Sequence, residues 1–203
     1  MKLSPELRTS LQTSAERYHQ SLFKVADYLE ARSLSFDVAS SNLLGYVDEP
    51  APGHEHFRGR LSIPYVTRAG VVNMKFRALD DSEPKYLNLA GFETNLYLVE
   101  SFFAQSEYLA VAEGELDALS LVESGIPAVG LPGVNSWKPF YRRCFEDWAT
   151  VYVFADGDQP GKDFAGFLAR EIRAVPIYMP PGSDVNTQLQ KEGPQWLKDQ
   201  IAR

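Results

Sequence analysis

VYVFADGDQPGK, residues 151–162, is the stretch that decides the fold of this chain. Its first half is apolar and rich in β-branched and aromatic residues, which is typical of a strand buried on both faces. Two carboxylates separated by one glycine, Asp156 and Asp158, follow the strand. A pair of hard oxygen ligands suits Mg²⁺. The alternative is a capped turn in which Asp158 begins the next helix and Pro160 lies in its first turn.

Strand and helix patterns alternate on both sides of this stretch. Beyond the helix that we predict over 160–173, the patterns indicate strands at 108–112, 128–131, near 150 and at 174–178, and helices over 115–124 and from about 134 to about 147. Such alternation indicates parallel βαβ units. The sequence therefore predicts an α/β fold with a Rossmann-like parallel sheet and helices on both of its faces.

Acidic residues follow three of these predicted strands. Glu113 comes directly after the strand at 108–112, and Asp184 lies in the loop after the last strand. In open α/β sheets, functional residues collect beyond the carboxyl ends of the strands. Together with Asp156 and Asp158, these acids predict a divalent-metal site at one edge of the sheet.

The first half of the chain has a different pattern. Helices are indicated from Pro5 to about 32 and over 35–42, and strands at 44–47, 61–66 and 71–79, the last two joined by a hairpin turn at 67–70. A loop at 84–88 follows. We therefore predict two domains, a mixed α+β subdomain over residues 1–100 and the parallel-sheet domain over 101–203.

Charge is unevenly distributed between these halves. Residues 57–79 carry five cations and no acid, whereas 107–119 carry four acids and no base. Residues two positions apart on an extended chain point to the same face. Arg58 and Arg60 would therefore share one face if they are extended, and Lys75 and Arg77 would share one face of the next strand. A ribbon with guanidinium groups on one face suits phosphate binding. The alternative is a pair of ordinary solvated faces of opposite sign.

The predicted loop at 84–88 adds three side chains of complementary chemistry. Lys85 supplies a cation, Tyr86 an aromatic plane and Asn88 an amide. This set is able to hold a nucleotide or a single strand through phosphate pairing, stacking and base-edge hydrogen bonds.

Overall composition limits the classes of protein to which this chain can belong. The net charge is -7, 44% of the 203 residues are hydrophobic, and Cys144 is the single cysteine. No apolar run approaches 18 residues and no signal-peptide pattern follows Met1. One cysteine excludes an intramolecular disulfide and a four-cysteine zinc site, and His54 and His56 lack a further ligand nearby in sequence. We expect a cytoplasmic protein without zinc and without membrane contact.

Two motifs resemble the Toprim signature of topoisomerases, bacterial primases, OLD-type nucleases and RecR-type repair proteins. They are Glu113-Gly114-Glu115-Leu116-Asp117-Ala118-Leu119 and Asp156-Gly157-Asp158. The rest of the chain narrows the resemblance to the catalytic core of DnaG-type primases. The segments that carry it are 28–34 (YLEARSL), 57–64 (FRGRLSIP), Arg77, 84–88 (PKYLN) and 181–193, which holds Asp184 and Asn186.

The resemblance implies a template-dependent RNA polymerase that makes primers on single-stranded DNA from ribonucleoside triphosphates. It implies that Asp156, Asp158 and Asp184 hold Mg²⁺ or Mn²⁺ and that Glu113 is a ligand or general base. Asp117 and Asn186 would stand behind these ligands. The residues implied to hold the nucleotide and the template are Arg58, Arg60, Arg77, Lys85, Tyr86 and Asn88.

The chain also departs from the family pattern. No zinc-ribbon or helicase-binding segment is recognisable, so we expect a minimal core of bacteriophage type, at work in the host cytoplasm with a replicative helicase or a separate zinc-bearing protein as partner. Asn186 stands where the family usually has a second Asp; it keeps an oxygen but loses a charge.

Two other functions use the same features. A Toprim nuclease or hydrolase would employ the same carboxylates with water as the nucleophile, but it has no need of a nucleotide clamp. A DNA-binding mediator with a degenerate Toprim fold is disfavoured, because all the main acidic positions are filled.

Overall fold

The computed structural model describes residues 3–201, which form two compact units. The first comprises residues up to 31 together with 35–94, and the second comprises 32–34 together with the residues from 95 onward. The division into domains at 1–100 and 101–203 stays a prediction from the sequence.

An antiparallel sheet and three helices make up the first unit. The helices are α1 (Pro5–His19), α2 (Ala26–Ala31) and α3 (Phe36–Ser41), and the strands are β1 (Gly45–Tyr46), β2 (Leu61–Thr67), β3 (Gly70–Arg77) and β4 (Tyr86–Asn88), with short 3-10 segments at Leu22–Val25 and Glu55–Phe57. The sheet order is β1-β2-β3-β4. Helix α1 begins as predicted, because the Ser4 hydroxyl accepts the backbone N–H of Leu7 and Pro5 occupies the first turn.

The core of the first unit lies between α1 and the sheet. The rings of Phe57 and Phe76 stack with centroids 3.7 Å apart, and Tyr18 packs edge-on against Phe76. Residues 84–88 differ from the prediction of a loop. Tyr86–Asn88 form β4, which pairs with the end of β3, with Arg77 opposite Tyr86 and Lys75 opposite Asn88.

The second unit is built on a parallel sheet. Its strands are β5 (Tyr108–Ala112), β6 (Ala128–Gly130), β7 (Thr150–Ala155) and β8 (Val175–Tyr178), its helices are α4 (Glu115–Glu123), α5 (Gln159–Ile172), α6 (Val185–Glu192) and α7 (Pro194–Ile201), and a 3-10 segment spans Val99–Phe103. The strand order is β6-β5-β7-β8 and every pairing is parallel. The predicted α/β class is confirmed, with the mixed α+β part before it.

The predicted helix from about 134 to about 147 is wrong. Two 3-10 segments stand there instead, Val134–Ser136 and Pro139–Phe145. The residues between them are extended, with ψ of 136° at Trp137 and 131° at Lys138. Pro139 has no N–H with which to continue a helix, so the apolar side chains of this region are presented from short turns.

Apolar side chains from the parallel sheet and from α5 form one buried core, which includes Val111, Val153, Phe164 and Leu168. This core fixes the strands from which the acidic residues project. None of the helices within residues 3–201 combines the length and apolar character that a membrane crossing requires.

Candidate functional site: an acidic edge and a buried cation

The predicted acids lie at one edge of the parallel sheet. Strands β5, β7 and β8 are successive neighbours, and Ala112, Phe154 and Ile177 share one register row. Glu113 directly follows β5 and Asp156 directly follows β7. Parallel strands end on the same side, so these carboxylates and the loop that leads to Asp184 occupy a common edge.

Two loops are joined at this edge through Gly157. The Gly157 N–H donates to the Ser183 carbonyl oxygen at 2.9 Å, and the Gly182 N–H donates to the Gly157 carbonyl oxygen at 3.3 Å. A Cβ atom on residue 157 would lie 1.9 Å from the Pro180 carbonyl oxygen. Only glycine fits this close approach, and it brings the Asp156–Asp158 loop against the loop that carries Asp184.

Asp158 and Asp184 are also helix caps. One oxygen of Asp158 accepts the Gly161 N–H at 2.8 Å at the start of α5, and one oxygen of Asp184 accepts the Thr187 N–H at 2.6 Å at the start of α6. The capped turn considered as an alternative for Asp158 is therefore present. It does not exclude metal binding, since each carboxylate has a second oxygen.

Neighbouring acids disfavour one another's charged form. Burial and then the charges of Asp184 and Asp156 raise the pKa of Asp117 to about 7, against the opposing effect of a hydrogen bond from the Asn186 N–H. Burial and then Glu113, Asp184 and Asp158 raise the pKa of Asp156 to about 6. Burial, followed by Asp158 and Asp117, also raises the pKa of Glu113. The edge concentrates negative charge.

The donor chemistry of this edge fits a hard divalent cation. Within residues 3–201, no Lys, Arg or His side chain forms an ion pair with Glu113, Asp156, Asp158 or Asp184. Nor do three or more acidic, histidine or cysteine side chains in that range already stand in a metal-binding arrangement. The charges of Glu113, Asp184 and Asp158 nevertheless add to burial in raising the pKa of Asp156, and carboxylate oxygens are of the type that Mg²⁺ and Mn²⁺ bind.

Asn186 is an anchor behind the acids. It is 2% exposed. Its amide oxygen accepts from Arg32 Nη1 at 3.2 Å and from Gln190 Nε2 at 2.7 Å, and its amide nitrogen donates to the Arg32 carbonyl oxygen at 2.8 Å and to Ser120 Oγ at 2.9 Å. Its backbone N–H donates to Asp117 Oδ1 at 3.1 Å. The amide oxygen that Asn186 keeps in place of a second carboxylate therefore already accepts two hydrogen bonds.

Arg58 and Arg60 do not lie on an extended strand, contrary to the sequence prediction. They occupy the turn before β2, where the Arg60 N–H donates to the Phe57 carbonyl oxygen at 3.1 Å. The guanidinium of Arg58 donates to the Asp48 carbonyl oxygen, and that of Arg60 donates to the Pro84 carbonyl oxygen at 2.9 Å. Arg60 thereby supports the segment that leads into β4.

The cations of β3 are buried, which corrects the prediction of an open basic face. Arg77 is 5% exposed and Lys75 is 8% exposed. Arg77 Nε donates to the Tyr28 hydroxyl at 2.7 Å, Nη1 donates to the Tyr86 hydroxyl, and the guanidinium carbon lies 5.0 Å from the Tyr86 ring centre. The Tyr86 ring is thus already in contact with protein groups, whereas Lys85 and Asn88 are exposed.

Burial lowers the pKa of Arg77, but the hydroxyls of Tyr86 and Tyr28 raise it by more, and the net direction is upward. The guanidinium therefore remains charged in its buried position. Sequence reasoning missed the contact with Tyr28, because nothing in the spacing of residues 28 and 77 indicates it.

Comparisons with known proteins agree with this architecture. A Toprim-like family model matches residues 110–189. The gene 57 protein of Mycobacterium phage D29 is 38% identical over 151 residues, which cover 71% of this chain and 99% of that protein. The DNA primase of Salmonella typhimurium is 25% identical over 230 residues, which cover 87% of this chain and 39% of that protein.

A solved structure of the DnaG catalytic core superimposes with a TM-score of 0.79 at 25% sequence identity, covering 96% of this chain and 79% of that one. The parallel sheet with acids at its strand ends therefore defines a Toprim domain. The chain belongs to the Toprim-containing family of DnaG-type primase catalytic cores, together with the phage gene 57 protein. Membership of this family implies the use of a divalent metal. The chain spans well under half the length of the Salmonella primase.

Proposed function

We propose that this chain is the catalytic core of a DNA primase, which synthesises short RNA primers on single-stranded DNA by divalent-metal nucleotidyl transfer. The observation that carries the proposal is the acidic edge of the Toprim domain, where burial and neighbouring carboxylates raise the pKa of Glu113 and Asp156. No cationic side chain among residues 3–201 forms an ion pair with the carboxylates of this edge. Primase relatives and the DnaG-like fold support the reaction class.

Asp156, Asp158 and Asp184 are the proposed metal ligands, with Glu113 as a further ligand or as general base. Mg²⁺ or Mn²⁺ bound there would neutralise the triphosphate and lower the pKa of the attacking 3′-hydroxyl. The proposal for Glu113 as base is supported by its raised pKa, because a carboxylate of higher pKa accepts a proton more readily at neutral pH. Asp117 accepts the Asn186 N–H and supports the start of α6.

The first unit would bind the substrates. Exposed Lys85 and Asn88 flank Tyr86, and Arg58 lies in the exposed turn before β2. We propose that these groups, with Arg60, contact phosphates and base edges of the incoming nucleotide and the template. Arg77 would contact a phosphate group from its buried position.

Partners follow from the proposed reaction. They are a single-stranded DNA template, ribonucleoside triphosphates and a replicative helicase or a separate zinc-bearing protein. A phage relative supports activity in the cytoplasm of a bacterial host.

The test is incubation of the chain with single-stranded DNA, labelled ribonucleotides and Mn²⁺, with the products resolved by size. We expect a ladder of short RNA that requires the template and the metal. Omission of template and replacement of Asp156 by Asn are the controls. Shortening of end-labelled DNA without any RNA product would replace the primase proposal by that of a Toprim nuclease.

A further inference from the structure

Arg77 is a buried cation without a carboxylate. Buried charges in proteins are ordinarily paired with a group of opposite charge, because an unpaired ion is costly to remove from water. Within residues 3–201, no Asp or Glu lies within ion-pair distance of Arg77. Its side-chain partners are the two neutral hydroxyls of Tyr28 and Tyr86.

These hydroxyls hold the guanidinium from two different elements. Tyr28 belongs to α2 and contacts Nε, whereas Tyr86 belongs to β4 and contacts Nη1. A planar guanidinium that is bound at Nε and at one Nη has a fixed orientation. Two of its five N–H groups are used in this way, and the rest remain available as donors.

The unused donors of Arg77 are not fully enclosed by the protein, since 5% of the residue is exposed. No side-chain nitrogen of Arg77 is among the fully buried polar atoms that lack a hydrogen-bond partner within residues 3–201. The guanidinium is therefore held at Nε and Nη1 by the tyrosines, while its remaining donors keep some access to solvent. A site of this kind favours an anion with several oxygens, of which a phosphate group is the common example.

We propose that Tyr28 is a positioning residue for phosphate binding, acting through Arg77. This inference rests on the proposed function, in which Arg77 contacts a phosphate, and it adds a residue for which the sequence patterns indicated no role. The phosphate belongs either to the ribonucleoside triphosphate or to the DNA backbone. We assign it to the triphosphate. A guanidinium of fixed orientation binds a compact group of high charge density better than it binds the backbone of a moving strand.

The variants Tyr28→Phe, Arg77→Lys and the double variant test this inference. Tyr46→Phe is the matched control, because Tyr46 lies on β1 at the opposite edge of the same sheet and its hydroxyl has no hydrogen bond within residues 3–201. Fluorescence anisotropy gives the Kd of a labelled ribonucleoside triphosphate and, in a second arm, of labelled single-stranded DNA. Thermal unfolding of each variant shows that it is folded.

We expect Tyr28→Phe to raise the Kd for the triphosphate about tenfold, the scale for one hydrogen bond to a charged group. The Kd for DNA and the affinities of Tyr46→Phe should stay within about twofold of wild type. In primer synthesis, KM for the nucleotide should rise while kcat changes little. The double variant should be no weaker than Arg77→Lys alone, because Tyr28 acts through Arg77.

Additive losses in the double variant would contradict the positioning role. A loss confined to DNA binding would overturn the assignment to the triphosphate, and unchanged binding of both probes would overturn the inference altogether. If Tyr28→Phe weakens triphosphate binding but the wild-type chain makes no RNA, the inference holds and the primase proposal fails.

Discussion

The acidic edge of the second unit and the buried Arg77 of the first are both unbalanced in charge, but they are unbalanced in different ways. At the acidic edge, burial and then neighbouring carboxylates raise the pKa of Asp156 to about 6 and that of Asp117 to about 7. Around Arg77, neutral tyrosine hydroxyls supply hydrogen bonds and leave the charge in place.

The difference lies in how each region responds when no ligand is bound. A carboxylate with a raised pKa binds a proton near neutral pH, so the acidic edge is partly neutralised by water-derived protons until a cation displaces them. A guanidinium does not lose its proton in this pH range. Arg77 therefore keeps its charge while Tyr28 and Tyr86 hold it by hydrogen bonds, and a bound anion would neutralise that charge.

The largest expected effect is that of Asp156→Asn on catalysis. This substitution keeps the shape of the side chain but removes a charge from the acidic edge, so we expect nucleotide incorporation to fall by at least about 100-fold, the scale for removing a group that stabilises transition-state charge. Asp199→Asn on α7 is the control, because Asp199 is exposed and bonds only to Gln195 within residues 3–201. Full activity of the Asp156→Asn variant would show that the charge at the acidic edge is not needed for the reaction.

Asn186→Ala should have the next largest effect, on stability. The substitution removes an amide that makes four hydrogen bonds in a buried position. We expect the free energy of unfolding to fall by about 2–4 kcal/mol, measured by urea denaturation. Ser120→Ala, which loses one of these partners, should cost less, about 1 kcal/mol. An equal cost for both would show that the remaining contacts of Asn186 contribute little.

Gly157→Ala tests whether residue 157 must be glycine because the backbone of Pro180 lies so close to it, rather than because glycine is flexible. The new Cβ would meet the Pro180 carbonyl oxygen at 1.9 Å, so the two acidic loops must separate, at a cost of about 1–3 kcal/mol. Gly166→Ala in the middle of α5 is the matched control. Its Cβ would lie 3.6 Å from Arg170 Nη1, an ordinary contact, so this variant should gain about 0.5–1 kcal/mol. Thermal or urea unfolding measures the stability of both variants. If both lose stability, the close contact with Pro180 is not the cause of the loss in Gly157→Ala.

Asp117→Asn should have the smallest of these effects, a change in how the free energy of unfolding depends on pH. The pKa of Asp117 is about 7 in the folded chain, against 3.8 without the fold, so between these values the folded state holds a proton that the unfolded state lacks. The free energy of unfolding must therefore decrease as pH rises through this window. In EDTA, the free energy of unfolding of the Asp117→Asn variant should decrease less steeply with pH than that of the wild type. At pH 8 the variant should be the more stable of the two. Parallel pH profiles would show that Asp117 ionises normally.

The acidic edge was more predictable from the sequence than the basic region, for a physical reason. Acids that directly follow parallel strands must share an edge, so local pattern and topology suffice for Glu113 and Asp156. The burial of Arg77 depends on Tyr28, which is 49 residues away, and on a three-residue strand whose register is set by β3. Such contacts leave no trace in local periodicity, and a count of charges does not tell a buried cation from an exposed one.

The errors in secondary structure have a similar origin. Strand β4 is too short to show alternation, and it exists because it pairs with β3. The region from 134 to 145 has helix-like apolar spacing, but Pro139 and the extended residues before it restrict it to 3-10 turns. The hydrogen bonds of Asn186 were equally invisible, because they join α6 to α4 and to residue 32.

The most direct test of the central claim, that the acidic edge holds a divalent cation, is a thermal unfolding titration with Mn²⁺ of wild type and Asp156→Asn. Without metal, the variant should melt at or above the wild-type temperature, because it relieves repulsion from Glu113, Asp184 and Asp158. With Mn²⁺, the wild type should gain stability by mass action in a saturable way, and the variant should lose most of that gain. An equal gain in both proteins would place the metal elsewhere and contradict the account.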